Sequence, residues 1–550
     1  MAITPNASPS PVPQGASDRW PAQIKYIVGN EACERFSYYG MRSILAGYIT
    51  GAVLKGGKGG LGQDADTSTS IIHAFVAANY FMPLLGAWLS DKVIGRYYTI
   101  LYVSLFYCAG HGVLALSDYA GGVHGKLMCL YTGLALIAFG SGGIKPCVSA
   151  FMGDQFRPDQ SHLMQKAYGA FYLSINFGSF FSFLIIPWIK NNYGYSPAFL
   201  VPGILMAGAT FIFWLGTKKY VRVPPARKTK SAGFIPVFLY AYSRCAGSRI
   251  GPMLNLLTTL GAPTFIIVTL TIVTYSSMNP ITRAIGWSAI ACTVFWYASV
   301  VTTSLLGKLD PGDNFWNGAR GRYSDDEISA ARSVTPILFV FALIPVFWTL
   351  YDQTNSTWVL QGEKMVRTTI FGIDIGAEQM QSMNALLVMI MVPLFTWGLY
   401  PRIGKWASPL RRMSCGMFVA GASYLVVAAL QKRIEAGDQL NVMWQTVPYI
   451  VLTAAEVLVS TTGLEFAFRE AAPELKSTIM SFFLLTTTVG DLFVVGVTKL
   501  FSEAGSGNHE ASVSTGRFML YAGLTFVVAV LFSVITANYK YRDASVAEGK

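Results

Sequence analysis

The sequence has 550 residues, of which 53% are hydrophobic and only 13% are charged, with a formal net charge of +12. A soluble chain would carry about a quarter charged residues, so this composition excludes an ordinary soluble domain and predicts a polytopic membrane protein. The positive charge does not require a nucleic-acid partner, because basic loops on one side of a membrane explain it. The seven cysteines and five histidines form no metal-ligand spacing, so neither a metal nor a catalytic site is predicted.

The apolar runs, taken in chain order, predict fourteen membrane-spanning helices. A polar stretch rich in Pro and Ser, over 1–22, precedes them and is predicted to be a disordered tail. Six spans follow at 31–54, 70–90, 97–117, 127–150, 167–189 and 198–217. Two extra spans are predicted at 263–278 and 286–307. The last six lie at 333–358, 381–400, 413–431, 445–468, 476–499 and 517–537.

An internal repeat predicts that the chain is built from two halves. The segments Trp88–Arg96 and Trp397–Lys405 share the spacing Trp-x5-Ile-Gly followed by a basic residue, at an offset of 309 residues. Such an offset is expected of two parallel six-helix units with the extra pair of spans between them. The predicted units are an N-terminal six-helix bundle over 23–218, a linker with two extra membrane helices over 219–332, a C-terminal six-helix bundle over 333–540 and a tail over 541–550.

The basic loops predict the orientation of the chain. The segments DKVIGRYY, TKKYVRVPPARKTK, YPRIGKWASPLRR and NYKYRD all fall on one side of the predicted spans. The positive-inside rule makes that side cytoplasmic. Both termini are then cytoplasmic, as an even number of spans requires.

Charged residues inside the predicted spans indicate a polar site, because each costs about 2.5–3.5 kcal/mol near the bilayer centre. These residues are Arg42, Lys145, Asp352 and Glu456. One helical face of the first span carries Glu31, Arg35, Tyr39 and Arg42, with Glu34 at its edge. Apolar substitutes would stabilise the fold as well as structural ion pairs do, so the set predicts a polar cavity.

Other polar residues recur one or two helical turns apart and predict the same cavity. The pairs are His73 and Tyr80, Tyr172 and Asn176, Trp348 and Asp352, Gln381 and Asn384, and Glu456 and Ser460. With the repeat offset, Lys145 maps to within two residues of Glu456, and Arg42 to within one of Asp352. The first half then contributes cations and the second anions. This arrangement suits a small zwitterion, such as a short peptide, better than a simple anion or a sugar.

Three segments resemble the signatures of the proton-coupled oligopeptide transporter family. They are EACERFSYYG, which matches the pattern ExxERFxYYG, GSGGIKPCVSAFMGDQF and FYLSINFGSF. The segment GAWLSDKVIGR also resembles the signature loop of the major facilitator superfamily. The resemblance covers nearly the whole chain. It implies an all-α major facilitator fold of two pseudo-symmetric six-helix bundles, with the two extra helices of bacterial members and a place in the bacterial inner membrane.

The resemblance implies import of di- and tripeptides by alternating access, driven by the proton gradient without a cofactor. It assigns proton coupling to Glu31, Glu34, Arg35, Lys145, His73 and Asp352. Together with the spacing above, it makes Tyr39, Arg42, Tyr80, Lys145, Tyr172, Asn176, Trp348, Asn384, Glu456 and Ser460 the candidates for peptide binding. Phe483 is expected to replace a Trp that relatives often have. The family's pattern also pairs Asp352 with Arg42 or His73 at an outer gate.

Other functions remain open from the sequence. The first is a proton-coupled carrier of another small solute, such as nitrate or a modified amino acid, against which the acidic wall argues. A membrane-embedded enzyme and a passive channel are further alternatives. The expected partners are the peptide, protons and the lipid bilayer, and no obligate protein partner is inferred.

Overall fold

The computed structural model describes most of the chain outside its termini and the middle linker. The described residues are 20–53, 59–157, 160–225, 233–247, 315–370, 372–404, 408–472, 475–504, 512–537, 539 and 541. The predicted extra spans at 263–278 and 286–307 therefore lie outside the described residues, as do nearly all of both predicted tails. The count of fourteen spans stays a prediction.

The first half consists of six helices of 20 to 33 residues and one short helix. A helix satisfies its backbone hydrogen bonds internally, as a membrane requires. They are α1 (Ile24–Ser43), α2 (Leu45–Thr50), α3 (Ala65–Trp88), α4 (Arg96–Ala115), α5 (Gly122–Gly153), α6 (Ser161–Tyr193) and α7 (Tyr195–Leu215). Helix α1 packs between α6 and α7, and α5 packs between α3 and α4. Helices α1 and α2 together correspond to the first predicted span, 31–54. Helix α1 begins at Ile24, seven residues before the predicted start.

The second half repeats this construction with more interruptions. A linker helix, α8 (Phe234–Gly247), comes first. The helices that follow are α9 (Asp325–Phe341), α10 (Pro345–Tyr351), α11 (Thr357–Gly362), α12 (Ser382–Pro393), α13 (Tyr400–Ile403), α14 (Pro409–Glu435), α15 (Thr446–Glu456), α16 (Thr462–Glu470), α17 (Lys476–Ala504) and α18 (Thr515–Ala537). A short antiparallel hairpin, β1 (Thr368–Ile370) and β2 (Ile373–Ile375), lies between α11 and α12.

In the described part of the chain, ten helices are long and apolar enough to cross a membrane. An eleventh crossing is a broken one, formed by Asp325–Phe341 and Pro345–Asn355 with a bend of 42°. Helix α1 is not one of these ten apolar helices, because it carries the charged residues Glu31, Glu34, Arg35 and Arg42.

The boundary between the linker and the second half differs from the prediction. The linker was expected to end at 332 and the next span to begin at 333, but α9 begins at Asp325, within a polar stretch. Ser324 and Glu327 form a capping box at its N-terminus, and three acidic residues in the first turn suit the positive end of the helix dipole. These local signals outweigh the polarity of the stretch.

The internal repeat appears in the backbone at the end of α3 and of α12. Each helix passes into a π-helical turn, Leu89–Val93 in the first half and Leu394–Leu399 in the second. Each segment then contains a glycine with positive φ, 82° at Gly95 and 50° at Gly404. A side chain is unfavourable in that backbone region, which explains why the repeat keeps glycine at both positions.

Two sides of the molecule can be distinguished by the chain ends. The terminal side is the one where α1 begins and α18 ends. The distal side is the opposite one, where α1 ends and α3 and α18 begin. On the distal side, Asp66 accepts hydrogen bonds from the backbone and hydroxyl of Ser512, which joins the two halves.

Candidate functional site

The acidic and basic residues of the first signature form one buried cluster on α1. Arg35 Nε lies 2.7 Å from Glu31 Oε1, one helical turn earlier, and 2.8 Å from Glu34 Oε2. The Ser141 hydroxyl of α5 donates to the other Glu34 oxygen at 3.3 Å. All three charged side chains are at most 8% exposed. Two carboxylates therefore compete for one guanidinium, so protonation of either leaves the other as its counter-ion.

Lys145 of α5 lies beside this cluster and is held by aromatic rings. Its Nζ is 4.0 Å from the centre of the Tyr80 ring and 5.2 Å from that of Tyr38. It also lies within electrostatic range of Glu34 and Asp352. Among the residues that the structure describes, no carboxylate forms an ion pair with Lys145. A partly exposed ammonium group on aromatic faces can accept an anionic ligand.

An acidic site in the second half is built from α12 and α15. Asn384 Nδ2 donates to Glu456 Oε2 at 2.7 Å and also contacts the Thr453 hydroxyl at 3.1 Å. The Tyr351 hydroxyl donates to Asn384 Oδ1 at 3.2 Å. Tyr39 and Tyr172 of the first half lie within electrostatic range of Glu456. The carboxylate of Glu456 is therefore presented toward the first half.

Tyr351 is a residue of this site that the sequence reasoning missed. It immediately precedes Asp352 in the segment FWTLYDQ, from which only Trp348 and Asp352 were selected. Tyr351 is the last residue of α10, and its hydroxyl group reaches Asn384 of α12.

Arg42 and Asp352 join the two halves by a buried ion pair. Arg42 Nη2 lies 2.7 Å from Asp352 Oδ1, and both side chains are at most 4% exposed. This is one of the two pairings that the family's pattern implied. In this conformation Arg42 is occupied by Asp352, so a ligand carboxylate would have to displace that partner.

His73 has a different acidic partner from the one expected. Its Nδ1 lies 2.6 Å from Asp491 Oδ1 of α17, and its Nε2 lies 2.9 Å from the Ser356 hydroxyl. The alternative pairing with Asp352 is not formed in this conformation, in which Asp352 Oδ1 contacts Arg42. Asp491 was missed although it lies inside the predicted span 476–499, where the same cost of a buried charge would have singled it out.

The remaining candidates line the interface between the halves to different extents. Tyr172 is 40% exposed, whereas the Asn176 side chain bonds to the Tyr172 carbonyl oxygen of its own helix. Trp348 Nε1 donates to the Thr486 hydroxyl at 3.0 Å. Ser460 is partly exposed in a π-helical turn, Val457–Thr461, that follows Glu456.

Phe483 is packed inside the second half. It is 2% exposed, and its ring centre lies 5.5 Å from that of Phe341. A Cβ atom at Gly463 would lie 2.4 Å from its ring, so α16 and α17 touch here. In this conformation Phe483 supports the wall of the site from behind.

A second group of charges closes the distal side. Lys190 Nζ of the first half lies 2.6 Å from Glu378 Oε2 of the second, with side chains 13% and 5% exposed. The carboxyl groups of Glu378 and Glu363 converge on Gly47. Burial of the carboxyl group and the neighbouring Glu378 raise the pKa of Glu363 to about 7, although part of its side chain is exposed. Burial likewise raises the pKa of Glu378, against the effect of Lys190.

The described residues hold no group of three or more His, Cys, Asp or Glu side chains that could bind a metal ion. A pocket of about 540 Å³ lies elsewhere, on the distal side between α3, α5 and α17. Its lining is mainly apolar and includes none of the charged cluster on α1.

The comparisons with known proteins agree on one family. Residues 97–513 match the family described as the POT family. The human protein "Solute carrier family 15 member 2" is 34% identical over 477 residues, which cover 84% of this chain and 56% of the human protein. Mouse "Solute carrier family 15 member 1" is 33% identical over 441 residues, 76% of this chain and 52% of the mouse protein. The chain thus spans about half the length of the curated relatives it matches.

Two solved structures share the fold over 96% of the chain. The POT family transporter PepTSo superposes with a TM-score of 0.80 at 38% identity, covering 96% of this chain and 99% of that one. A structure described as an auto inhibited POT family peptide transporter gives 0.77 at 37% identity, covering 96% and 100%. The predicted all-α major facilitator fold is confirmed by this similarity.

Proposed function

Because the chain belongs to the POT family, we propose that it is a proton-coupled symporter that imports di- and tripeptides by alternating access. The observation that carries the proposal is the opposition of charges between the halves. Lys145 is a cation without an ion-pair partner in the described residues, and Glu456 is a carboxylate directed toward the first half. A peptide has one charge at each end and can satisfy both. A simple anion such as nitrate can satisfy only Lys145.

In this proposal the peptide bridges the two halves. Its carboxylate binds Lys145, and Arg42 when that residue is released from Asp352. Its amino group binds Glu456 with Asn384, while the side chains meet Tyr39, Tyr80, Tyr172, Asn176, Trp348 and Ser460, a wall that Phe483 supports from behind. A ligand that touches both walls favours the conformation in which they are close, and this differential binding drives the transition.

Proton coupling is assigned to the cluster on α1. Glu31 and Glu34 share Arg35, so a proton on Glu34 removes a negative charge beside Lys145 and frees that ammonium group for the peptide carboxylate. Loss of the proton lets Glu34 attract Lys145 again and expel the peptide. His73 and Asp352 act with this cluster at the distal gate.

We also propose the setting of the protein. The terminal side is cytoplasmic by the positive-inside rule, so both termini are inside the cell. The two extra helices predicted between the halves are typical of the bacterial members, which favours the bacterial inner membrane. The units 23–218 and 333–540 move as the two bundles around the site. No cofactor and no protein partner is needed, since the proton gradient supplies the energy.

The first experiment is uptake of labelled dialanine into proteoliposomes with an inward proton gradient. Accumulation that a protonophore abolishes is expected, and competition by unlabelled dipeptide but not by nitrate supports the peptide as substrate. Inhibition by nitrate, without any dipeptide entry, would instead favour the anion carrier.

The coupling role of Lys145 is tested by Lys145→Ala, with exposed Lys166→Ala of α6 as the matched control. Lys145→Ala should abolish proton-driven uptake while counterflow of dialanine partly survives, because exchange needs binding but not coupling. The control should keep both activities. Full proton-driven uptake in Lys145→Ala would contradict the scheme.

A further inference from the structure

A lateral groove on the distal side has no role in the proposed mechanism. It is the pocket of about 540 Å³ between α3 and α5 of the first half and α17 of the second, which we call the distal groove. Its volume lies within the range of about 300–1,000 Å³ that is typical of ligand pockets. Ala74 of α3 and Ala135 of α5 line it and are exposed, although both belong to membrane-spanning helices. The groove therefore opens toward lipid.

The lining of the distal groove changes from polar to apolar with depth. Helix α3 contributes a single face, whose residues recur every three or four positions. From the distal end inward they are Asp66, Thr67, Ser70, Ile71, Ala74, Phe75 and Ala78. Helix α17 runs in the opposite direction and places Lys499 at the distal end, with Val495 one turn deeper. A polar end followed by an apolar slot is the order of groups in a membrane lipid.

The length of the groove corresponds to one bilayer leaflet. Asp66 and Ala78 are twelve residues apart on α3, which corresponds to about 18 Å along the helix axis. Half of a typical hydrocarbon core is about 15 Å thick. A lipid whose headgroup lies beside Asp66 would therefore reach the middle of the membrane with its acyl chain near Ala78.

The polar end of the groove carries both signs of charge. Lys499 is a partly exposed ammonium group. Asp66 is a carboxylate whose two hydrogen bonds from Ser512 are both accepted by Oδ1. A phosphate group suits Lys499, and an ammonium group with N–H donors suits Asp66. Phosphatidylethanolamine has both groups, whereas the quaternary amine of phosphatidylcholine has no N–H to donate.

Contacts between the two halves border the groove at both ends. At the distal end Asp66 binds Ser512. At the deep end the Thr488 hydroxyl of α17 donates to the Ala77 carbonyl oxygen of α3 at 3.2 Å. Both contacts exist only while the halves are together on the distal side. When that side opens, the wall formed by α17 must therefore move away from the wall formed by α3 and α5.

We propose that the distal groove binds one phosphatidylethanolamine molecule from the leaflet on that side, and that the bound lipid favours the conformation closed on the distal side. One acyl chain fills the groove, the phosphate lies at Lys499 and the ammonium group lies at Asp66. A lipid that touches both halves binds the closed conformation more tightly than the open one, and this difference shifts the population toward closure. The inference rests on the proposed alternating-access function but not on the identity of the substrate.

The test compares the open-to-closed ratio in two lipids. The fully buried Ser43 is replaced by cysteine in a background without the seven natural cysteines, so that a maleimide reacts only when the distal side is open. The protein is placed in nanodiscs that contain either phosphatidylethanolamine or phosphatidylcholine, with the same acyl chains and the same fraction of phosphatidylglycerol. Labelling should be about tenfold slower in phosphatidylethanolamine, because phosphatidylcholine lacks the charge-assisted hydrogen bond to Asp66.

A filled groove separates binding at this site from a general effect of the bilayer. Ala135→Trp places an indole ring in the groove. The matched control Ala207→Trp places one on the exposed surface of α7, outside the groove. The difference between the two lipids should disappear in Ala135→Trp and persist in Ala207→Trp. Ala74→Phe fills the groove from α3 if Ala135→Trp is not recovered as monodisperse protein.

Bound lipid is counted directly by native mass spectrometry of the delipidated protein after addition of either lipid. Phosphatidylethanolamine should bind to the parent and less to Lys499→Gln, which loses the partner of the phosphate. Equal binding of phosphatidylcholine would overturn the assignment of the headgroup. Equal labelling of the parent in both lipids, or a tenfold difference that survives in Ala135→Trp, would overturn the inference. Neither measurement needs a substrate, so failure of dialanine transport would count against the proposed function alone.

Discussion

The ion pair between Lys190 and Glu378 allows a quantitative prediction about the distal gate. Its atoms are 2.6 Å apart, and its side chains are 13% and 5% exposed. Removal of one partner from a buried pair costs about 3 kcal/mol at the lower end of the measured range. The partners belong to opposite halves, so the whole cost falls on the closed state. Lys190→Gln should therefore shift the open-to-closed ratio toward open by about a hundredfold.

The shift should depend on pH with a defined sign. Raised pKa values mean that Glu363 and Glu378 favour their protonated forms in the closed state. Their contribution to closure is present at acid pH and is lost as pH rises through about 7, where Glu363 ionises. The defect of Lys190→Gln should thus be large at pH 8 and smaller at pH 5.5, because protonated carboxyls no longer need the cation.

The assay is the rate at which an impermeant maleimide labels Ser43→Cys in intact cells, in a background without the seven natural cysteines. Ser43 is fully buried, and its carbonyl oxygen accepts a hydrogen bond from Gln381 of the other half, so labelling requires an open distal side. The matched control is Arg433→Gln, which removes an ion pair of 2.7 Å to Asp438 on the same side of the molecule. That pair is 66% and 44% exposed and lies within one half, so its loss is worth less than about 1 kcal/mol and should leave the gate unchanged. Equal labelling of the two variants at pH 8 would refute the reasoning.

Two further predictions concern packing and substrate binding. A Cβ atom at Gly86 would clash with the Gly143 carbonyl oxygen, at 2.0 Å. Gly86→Ala should therefore lower the midpoint temperature of thermal unfolding by at least about 2 °C. The control Gly208→Ala should leave it unchanged, because a Cβ atom there would meet nothing within 4 Å. Equal midpoints would show that α3 and α5 can separate without cost. Glu456→Gln should raise the dialanine concentration for half-maximal uptake about tenfold by loss of a charge-assisted hydrogen bond, while uptake of N-acetylated dialanine should not change. Equal effects on both peptides would contradict contact between Glu456 and the amino group.

Helices could be predicted because their signal is local. A run of about twenty apolar residues forms a helix in a membrane wherever it lies in the fold. The start of α9 was also available locally, since Ser324 and Glu327 have the spacing of a capping box. The 42° break between α9 and α10 could not be predicted from the local sequence, because Pro345 shows only that a bend is possible. Packing against α17 fixes where the chain turns.

Charged residues at membrane depth could be found from the sequence, but their partners could not. The cost of burying Arg42, Lys145 or Glu456 is a property of each residue and needs no structure. The pairing within α1 follows from helical spacing, as the contact between Arg35 and Glu31 shows. Contacts between residues hundreds of positions apart depend on how the halves meet.

The sequence by itself determined the membrane class, the family and the set of charges that need partners. Only the tertiary structure decided that Arg42 pairs with Asp352 and that His73 contacts Asp491, which lies 418 residues away in the sequence. The spacing along the chain permits Asp352 to serve either His73 or Arg42. The choice follows from the way α3 packs on α17, which brings a second buried carboxylate to the imidazole and leaves Asp352 to the guanidinium.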